Sequence, residues 1–279
     1  MKVSPPLKWH GGKYYLASRI VALMPPHVHY VEPFAGGLAV LLARDPLEQR
    51  LWVPPNTGVS EVVNDLDRDL MSFWAVLSDP ASFLEFQRLV EATPFSQVCW
   101  NSARFHQQSG ISLSLVQRAW VFFVQCRQSL AGRRDTFAPL SRTRTRRGMN
   151  EQASAWLTAV EGLPEVHSRL RSVVVLDGPA LDVIRSQDGP DTLFYLDPPY
   201  LAQTRSAPEV YRHEMSEEQH RELLSVVIHK QGKFMISGYR SEMYDDILRT
   251  WTRHDFDLPN NAAGGKGKRR MTESLWCNW

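Results

Sequence analysis

The sequence predicts an α/β protein in which a doubly wound, mostly parallel sheet carries an inserted, mainly helical domain. Short apolar runs typical of strands alternate with helical patterns near both ends of the chain. Between them, apolar residues recur at three- and four-residue spacing, and a basic stretch follows. We therefore expect residues 1–70 and 165–279 to form one domain and residues 71–164 to form the insertion.

The first elements follow from glycine, proline and apolar spacing. HVHYVEPFAGG predicts a strand that enters a glycine turn, and LAVLLARDP predicts a helix that is stopped by Pro46. VSEVVNDLD repeats the pattern of an apolar strand with an acidic tip. The patterns FWAVLSD, SFLEFQRLVEA and SLVQRAWVFFVQC predict the helices of the insertion. Residues 131–150 lack apolar periodicity and are predicted to form a basic loop.

The remaining elements return to strand and helix alternation. EQASAWLTAVEG and LPEVHSRLRS are predicted to be short helices, and SVVVLDG and TLFYLDPPY are predicted strands. Ser216 with Gln219 predicts a capping box that opens the helix EEQHRELLSVVIHKQ. KFMISGY, the helical SEMYDDILRT and two strand-like pieces complete the chain.

Composition indicates an ordinary globular protein. The chain has 279 residues, of which 43% are hydrophobic and 22% charged, with a net charge of +2. No apolar run is long enough for a membrane helix, and MKVSPPLKWHGG lacks the apolar core of a signal peptide. The three cysteines and nine histidines show neither disulfide nor metal spacing, so we expect a cytoplasmic protein without a metal.

The stretch LFYLDPPYLAQ carries the most specific chemistry. Its prolines end the strand and hold Asp197, Pro198, Pro199 and Tyr200 stiffly at the strand's tip. The Asp197 carboxylate and the Pro198 carbonyl can accept both N–H bonds of an exocyclic amine and orient its lone pair. Tyr200 offers a face on which a flipped-out base can stack. The alternative is a proline-rich turn with no role in catalysis.

Three further stretches have the character of a nucleotide site. EPFAGG, from Glu32 to Gly37, lets the backbone turn sharply and approach a ligand, although a plain tight turn is the alternative. In NDLDRD, Asp65 or Asp67 can accept hydrogen bonds from ribose hydroxyls, while either can instead cap a helix. LKWHGGKYY places Trp9 and Lys13 around two glycines, which suits a loop over an anionic ligand or an ordinary surface loop.

Basic residues cluster in two places. The arginine loop consists of Arg133, Arg134, Arg142, Arg144, Arg146 and Arg147. A second patch consists of Lys266, Lys268, Arg269 and Arg270. Both can neutralise phosphates, and the alternative is a solvated loop. The four tryptophans on helical patterns, Trp74, Trp100, Trp120 and Trp156, are expected to lie in the core.

Taken together, KWHGGK, EPFAGG, NDLD and LDPPY occur in the order shown by the Dam-type family of adenine-N6 DNA methyltransferases, the DPPY class. The chain resembles this family over essentially its whole length. The resemblance implies a Rossmann-like catalytic domain, S-adenosylmethionine as methyl donor and double-stranded DNA as substrate. It also implies that residues 71–164 form the target-recognition insertion, and a bacterial, phage or mobile-element origin is compatible with it.

The resemblance assigns roles to individual residues. The cofactor-binding positions are Trp9, Lys13, Glu32, Phe34, Gly36, Gly37, Asp65, Asp177 and Asp197. Asp197 would lie between cofactor and target amine, and Asp177 would face the cofactor's adenine. GGKGKRRMTESL resembles the family's glycine-basic turn before its last strand. A monomer is compatible with the family.

Two departures from the family pattern affect these expectations. Leu38 stands where the family often has a further glycine, and we expect it to narrow the cofactor loop. CRQSLAGRRDTF resembles the family's DNA-reading hairpin only weakly. We therefore do not assign the family's GATC target sequence to this chain. Three alternatives stay open: methylation of cytosine N4, methylation of adenine in RNA, and a catalytically silent DNA-binding relative.

Overall fold

The computed structural model of the chain describes residues 3–9, 11–204, 214–259 and 270–279. The chain divides into two compact units. The helical unit comprises Met1–Pro25, Gly36–Glu48 and Asp67–Asp177, and the sheet unit comprises Pro26–Ala35, Gln49–Leu66 and Gly178–Trp279. The predicted insertion, residues 71–164, falls within the helical unit. Across the described ranges, no helix has both the length and the apolar character needed to cross a membrane.

The strands in chain order are β1 (His29–Glu32), β2 (Ser60–Asn64), β3 (Thr145–Arg146), β4 (Met149–Asn150), β5 (Val173–Leu176), β6 (Thr192–Leu196), β7 (Lys233–Gly238), β8 (Thr252–Pro259) and β9 (Arg270–Cys277). The α-helices are α1 (Ala17–Ala22), α2 (Ala39–Ala43), α3 (Arg68–Ser78), α4 (Pro80–Glu91), α5 (Gln97–Gln108), α6 (Leu115–Gln128), α7 (Glu151–Glu161), α8 (Leu163–Leu170), α9 (Ala180–Gln187), α10 (Glu217–Val227) and α11 (Glu242–Ile247).

Within the described residues, the main sheet has seven strands in the order β5-β2-β1-β6-β7-β9-β8. β1 runs parallel to β2 and to β6, and β6 runs parallel to β7. β9 is antiparallel to both β7 and β8. All five residues of β6 are buried, as expected for a strand that is covered on both faces. The mostly parallel sheet with its helices confirms the predicted Rossmann-like α/β class.

Two predicted helix boundaries are confirmed. α2 ends at Ala43, before Pro46 can interrupt its hydrogen bonding. α10 opens with the predicted capping box, in which the Gln219 N–H donates to Ser216 Oγ at 3.2 Å and the Ser216 N–H donates to Gln219 Oε1 at 2.8 Å. Both boundaries depend on residues that are close in sequence, and this is why local patterns predicted them.

The core of the helical unit is aromatic. Phe73 on α3 stacks on Phe123 of α6 with ring centroids 5.6 Å apart, and Phe86 of α4 contacts both rings. Trp74, Trp100 and Trp156 are buried, which confirms their predicted place in the core. Trp120 is only half-buried. The apolar residues whose spacing predicted these helices also form the contacts between them.

The prediction of a loop over residues 131–150 is wrong for the last part of this range. β3 and β4 form a short hairpin whose turn residues are Arg147 and Gly148, with φ of 56° and 73°. Two successive residues with positive φ are what a two-residue type I′ turn requires. Strands of two residues are too short to show periodicity, and Arg-Gly lacks the Asn-Gly signature. The hairpin therefore left no recognisable pattern in the sequence.

Candidate active site

Three acidic residues follow or end neighbouring parallel strands of the sheet unit. Glu32 ends β1, Asp65 directly follows β2, and Asp197 directly follows β6. The sheet order places β1 between β2 and β6, so these acids lie at the carboxyl edge of three adjacent strands. Ligands of open α/β sheets bind at this edge. The three acids were predicted as site residues, and the topology brings their strands together.

Glu32 is held at this edge by a neighbour on its own strand. Its side chain is buried, and Oε1 accepts a hydrogen bond from the Tyr30 hydroxyl at 2.7 Å. Phe34, two residues further on, is half-buried, and so is Asp65. Glu32 therefore has a fixed orientation, because a buried carboxylate with a hydrogen-bond donor has few alternative positions.

Asn64 organises the same region and was missed by the sequence analysis. Its fully buried amide donates to the carbonyls of Pro33 and Gly178, both at 3.0 Å, and accepts from the Gly178 N–H at 2.8 Å. Its own carbonyl accepts from the Ala35 N–H at 2.8 Å. Asn64 thus fixes the turn after β1 and the turn that follows Asp177. The only sequence signal was an amide at the tip of an apolar strand.

The glycine turn continues into the helical unit, where it meets Trp9. Gly36 has φ of 46°, and a Cβ added to it would lie 2.7 Å from Trp9 Nε1. A Cβ added to Gly37 would lie 2.8 Å from Trp9 Cβ. The Trp74 indole N–H donates to the Gly36 carbonyl at 3.0 Å. KWHGGK and EPFAGG are therefore in direct contact, and only glycine allows this approach.

Leu38 and Lys13 complete this part of the helical unit. Leu38 has φ of 54° and a fully buried side chain at the amino end of α2. This left-handed conformation costs a branched residue about 1–2 kcal/mol relative to glycine. Lys13 is 5% exposed, and its Nζ donates to the Gly11 carbonyl at 2.7 Å. The expected narrowing of the cofactor loop by Leu38 stays a prediction.

The two aspartates of NDLD separate in their roles. Asp67 is the N-cap of α3, and its Oδ1 accepts from the N–H groups of Asp69 and Leu70 at 3.0 and 3.3 Å. The expectation that one of the pair caps a helix is confirmed for Asp67. Asp65 remains the predicted ribose ligand. Asp177, which follows β5 in the helical unit, is exposed.

The DPPY segment lies at the tip of β6, and its tyrosine meets a second tyrosine. Pro198 and Tyr200 are buried, whereas Asp197 and Pro199 are half-buried. The Tyr200 ring contacts the Tyr239 ring edge-on, with centroids 4.7 Å apart and planes at 74°. Tyr239 directly follows β7. Its position beside DPPY was not foreseen, because it depends on the pairing of β6 with β7.

A buried hydroxyl pair lies next to this segment. Tyr195, two residues before Asp197, has its hydroxyl 2.9 Å from Ser237 Oγ. Burial raises the pKa of Tyr195 well above its usual value, and the negative charge of Asp197 raises it further. Tyr195 is therefore neutral, and its hydrogen bond to Ser237 ties β6 to β7 immediately behind Asp197.

Lys8 anchors the segment before Trp9 to the helices of the insertion. Its Nζ donates to the Arg127 carbonyl at 3.0 Å and to Gln152 Oε1 at 3.3 Å. A Cβ added to Gly132 would contact the Lys8 carbonyl oxygen. The pKa of Lys8 is lowered from 10.5 to about 8, chiefly by burial and to a smaller extent by the cation of Arg127, while Glu151 opposes this.

This lowered pKa predicts a pH-dependent stability. Below about pH 8, Lys8 is protonated in both the folded and the unfolded protein. Between pH 8 and 10.5, the folded protein has released a proton that the unfolded chain keeps. The free energy of unfolding therefore rises with pH in that window. Burial raises the thiol pKa of Cys126 and Cys277 from 9.0 to about 12, which opposes the rise above pH 9. We expect Lys8→Met to flatten the rise between pH 8 and 9.

Chemical unfolding at the two pH values measures this effect. Lys230→Met, which removes a lysine of the sheet unit, is the matched control and should keep the wild-type rise. An unchanged pH dependence in Lys8→Met would contradict the assignment of the rise to Lys8.

The six residues of the arginine loop fall into two groups. Three are ion-paired: Arg134 with Asp67 at 3.5 Å, Arg144 with Glu151 at 3.0 Å and Arg147 with Glu161 at 2.8 Å. Arg133, Arg142 and Arg146 are exposed, and no carboxylate of the described residues lies within ion-pair distance of them. Exposed cations of this kind can neutralise phosphates, and the DNA contact of this second group stays a prediction.

The second basic patch is only partly described. Arg270 begins β9, and its Nε lies 2.6 Å from Asp257 Oδ2 on β8. The predicted contacts Lys266, Lys268 and Arg269 lie outside the described residues. Among the residues that are described, no group of histidine, cysteine and acidic side chains could hold a metal ion.

Comparison with known proteins gives one family. Residues 9–112 and 133–261 match the model of the D12 class N6 adenine-specific DNA methyltransferases. No curated protein sequence matches the chain significantly. The matched residues cover most of the chain and include EPFAGG, NDLD and LDPPY, together with KWHGGK from Trp9 onwards. The chain therefore belongs to the D12 class of N6 adenine-specific DNA methyltransferases.

Proposed function

We propose that the protein transfers a methyl group from S-adenosylmethionine to the N6 amine of an adenine that is flipped out of double-stranded DNA. The observation that carries the proposal is the row of Glu32, Asp65 and Asp197 at the carboxyl ends of three adjacent parallel strands. The proline pair that follows Asp197 gives this acid a fixed direction relative to the neighbouring carbonyl.

The side chains fit S-adenosylmethionine. The cofactor offers hydroxyl and ammonium donors and a sulfonium cation, and the edge of the sheet unit offers carboxylate acceptors. When bound, it supplies an activated methyl group. We assign Asp65, half-buried at the tip of β2, to the ribose, and we assign the turn in which Gly36 and Gly37 pack closely on Trp9 to the same ligand. We assign Lys13, Phe34 and Asp177 to the same ligand by the family resemblance.

The target amine is oriented by acceptors rather than deprotonated by a strong base. The lone pair of an adenine amine is delocalised into the ring, so the amine is a weak nucleophile. The Asp197 carboxylate and the Pro198 carbonyl accept its two N–H bonds and direct the lone pair at the methyl group. We assign the stacking of the flipped base to Tyr200, whose ring contacts the Tyr239 ring edge-on. The proton is released after methyl transfer, toward Asp197 or solvent.

We further propose that residues 71–164 are the target-recognition insertion and that its exposed arginines bind DNA phosphates. Replacing Arg142 and Arg146 together by glutamine should weaken DNA binding at low salt. The plot of log K against log salt concentration should become less steep. The magnitude of its negative slope should decrease by about 2, because each lost phosphate contact decreases it by about 1. Titration of labelled duplex DNA at several salt concentrations measures the slope.

The control for this prediction removes the same charge elsewhere. Arg185 and Arg221 lie on α9 and α10 of the sheet unit, where they pair with Asp182 and Glu217. Their double glutamine variant should keep the wild-type slope. Equal slopes for the wild type and the Arg142 and Arg146 variant would contradict a phosphate contact at these positions.

Product analysis tests the proposed reaction directly. The purified protein is incubated with methyl-labelled S-adenosylmethionine and unmethylated genomic DNA, and the DNA is digested to nucleosides. Labelled N6-methyladenine is the expected product. Labelled N4-methylcytosine would correct the target base, and label in RNA but not in DNA would correct the substrate. DNA binding without label in either nucleic acid would indicate a silent relative and refute the proposal.

A further inference from the structure

Arg133 and Arg134 are adjacent in the arginine loop but lie in opposite environments. Arg133 is exposed, and the described residues place no carboxylate beside it. The Arg134 side chain is only 16% exposed, and its Nη2 lies 3.5 Å from Oδ2 of Asp67, whose side chain is 6% exposed. Arg134 has a backbone φ of 65°, in the left-handed region. Its guanidinium is therefore committed to the interior of the helical unit.

Asp67 divides its two carboxylate oxygens between a helix and Arg134. Oδ1 accepts from the N–H groups of Asp69 and Leu70 at the start of α3. Oδ2 faces the Arg134 guanidinium. Because an unpaired buried carboxylate is costly, Arg134 stabilises the charge that caps α3. The start of α3 lies directly after NDLD, so this ion pair fixes the end of that motif.

A second set of contacts leads from Arg134 to the glycine turn. The guanidinium lies over the Phe122 ring, 5.0 Å from its centroid. The Phe122 ring lies 6.2 Å from the Trp9 ring, and Trp9 packs against Gly36 and Gly37. All of these residues belong to the helical unit. Arg134 therefore supports Trp9 from the side of the arginine loop.

We infer that Arg134 is a positioning residue for the cofactor-binding turn rather than a phosphate contact. Through Asp67 it fixes the end of NDLD, and through Phe122 it holds Trp9 against the glycines. The inference rests on the proposed function, because it takes Trp9, Gly36 and Gly37 to bind S-adenosylmethionine. Through the same contacts, Arg134 connects the loop that carries Arg133 to the cofactor-binding turn.

The adjacent arginines provide a matched pair of variants with opposite expected effects. Arg134→Gln should raise both the KM and the calorimetric Kd for S-adenosylmethionine by about tenfold, as expected for a coupling residue that touches neither ligand. Its kcat and the salt dependence of its DNA binding should stay near the wild type. Arg133→Gln should weaken DNA binding and lower the salt slope while cofactor affinity is unchanged. Arg134→Lys, which keeps the charge, should recover part of the lost cofactor affinity.

Two further measurements separate positioning from general destabilisation. Thermal unfolding reports whether Arg134→Gln is folded at the assay temperature, and the KM shift should persist under conditions where it is. Adding Asp67→Asn to Arg134→Gln should raise the cofactor Kd by less than the product of the single effects, because both variants break the same ion pair. Additive effects would overturn the role of the pair.

Other outcomes distinguish this inference from the proposed function. If Arg134→Gln weakens DNA binding as Arg133→Gln does and leaves the cofactor Kd unchanged, the inference is wrong while the proposed function stands. If the wild type binds S-adenosylmethionine but methylates no adenine, the proposed reaction is wrong, and the calorimetric comparison still decides the role of Arg134.

Discussion

An Asp197→Ala protein is expected to lose methyl transfer by about 10³-fold in kcat while it still binds DNA. The reason is that the carboxylate at the tip of β6 orients the target amine, and no other acceptor in the DPPY segment can replace it. Pro198 offers only its carbonyl, and Tyr200 is held edge-on by Tyr239. Single-turnover assays with labelled cofactor and saturating DNA measure this loss.

Asp191 provides the matched control for this variant. It is an exposed aspartate immediately before β6, at the opposite end of the strand from Asp197. Asp191→Ala should transfer methyl groups within about twofold of the wild-type rate, as is usual for surface positions. Asp197→Asn keeps one acceptor oxygen but loses the negative charge, so it should retain more activity than Asp197→Ala. Wild-type turnover by Asp197→Ala would contradict the proposed mechanism.

A Gly36→Ala protein is expected to bind S-adenosylmethionine much more weakly and to unfold more easily. The added methyl would lie 2.7 Å from Trp9 Nε1, and the residue would keep a φ of 46° that alanine disfavours. We expect a loss of about 1–3 kcal/mol in the free energy of unfolding. Trp9 can yield only by moving away from the glycine turn, so cofactor affinity should fall with stability. Denaturant unfolding and calorimetric titration measure the two losses.

Gly58→Ala separates the local clash from a general effect of glycine replacement. No atom lies within 4 Å of a Cβ added at Gly58, and its φ is not in the left-handed region. This control should stay within about 0.5 kcal/mol of the wild type and bind the cofactor normally. If Gly36→Ala also bound S-adenosylmethionine with wild-type affinity, the glycine turn would have no part in the cofactor site.

The sequence by itself determined the fold class, the strand tips and the family. Apolar strands, helical spacing and the turns at Gly36 and Pro198 are local signals, and each depends on residues close in sequence. The capping box of α10 follows for the same reason, whereas the structure decided that Asp67 is the capping aspartate of NDLD. Four short motifs in a fixed order were sufficient for the family, because together they are far more specific than any one alone.

Only the tertiary structure decided the environment of each side chain. Arg133 and Arg134 are identical and adjacent, yet one is exposed and the other pairs with Asp67, which lies far away in the sequence. Asn64 gained its role because the turns at Pro33 and Gly178 meet its amide. Burial and hydrogen bonding depend on which distant segments fold together, and a local pattern of residue types carries no record of that pairing.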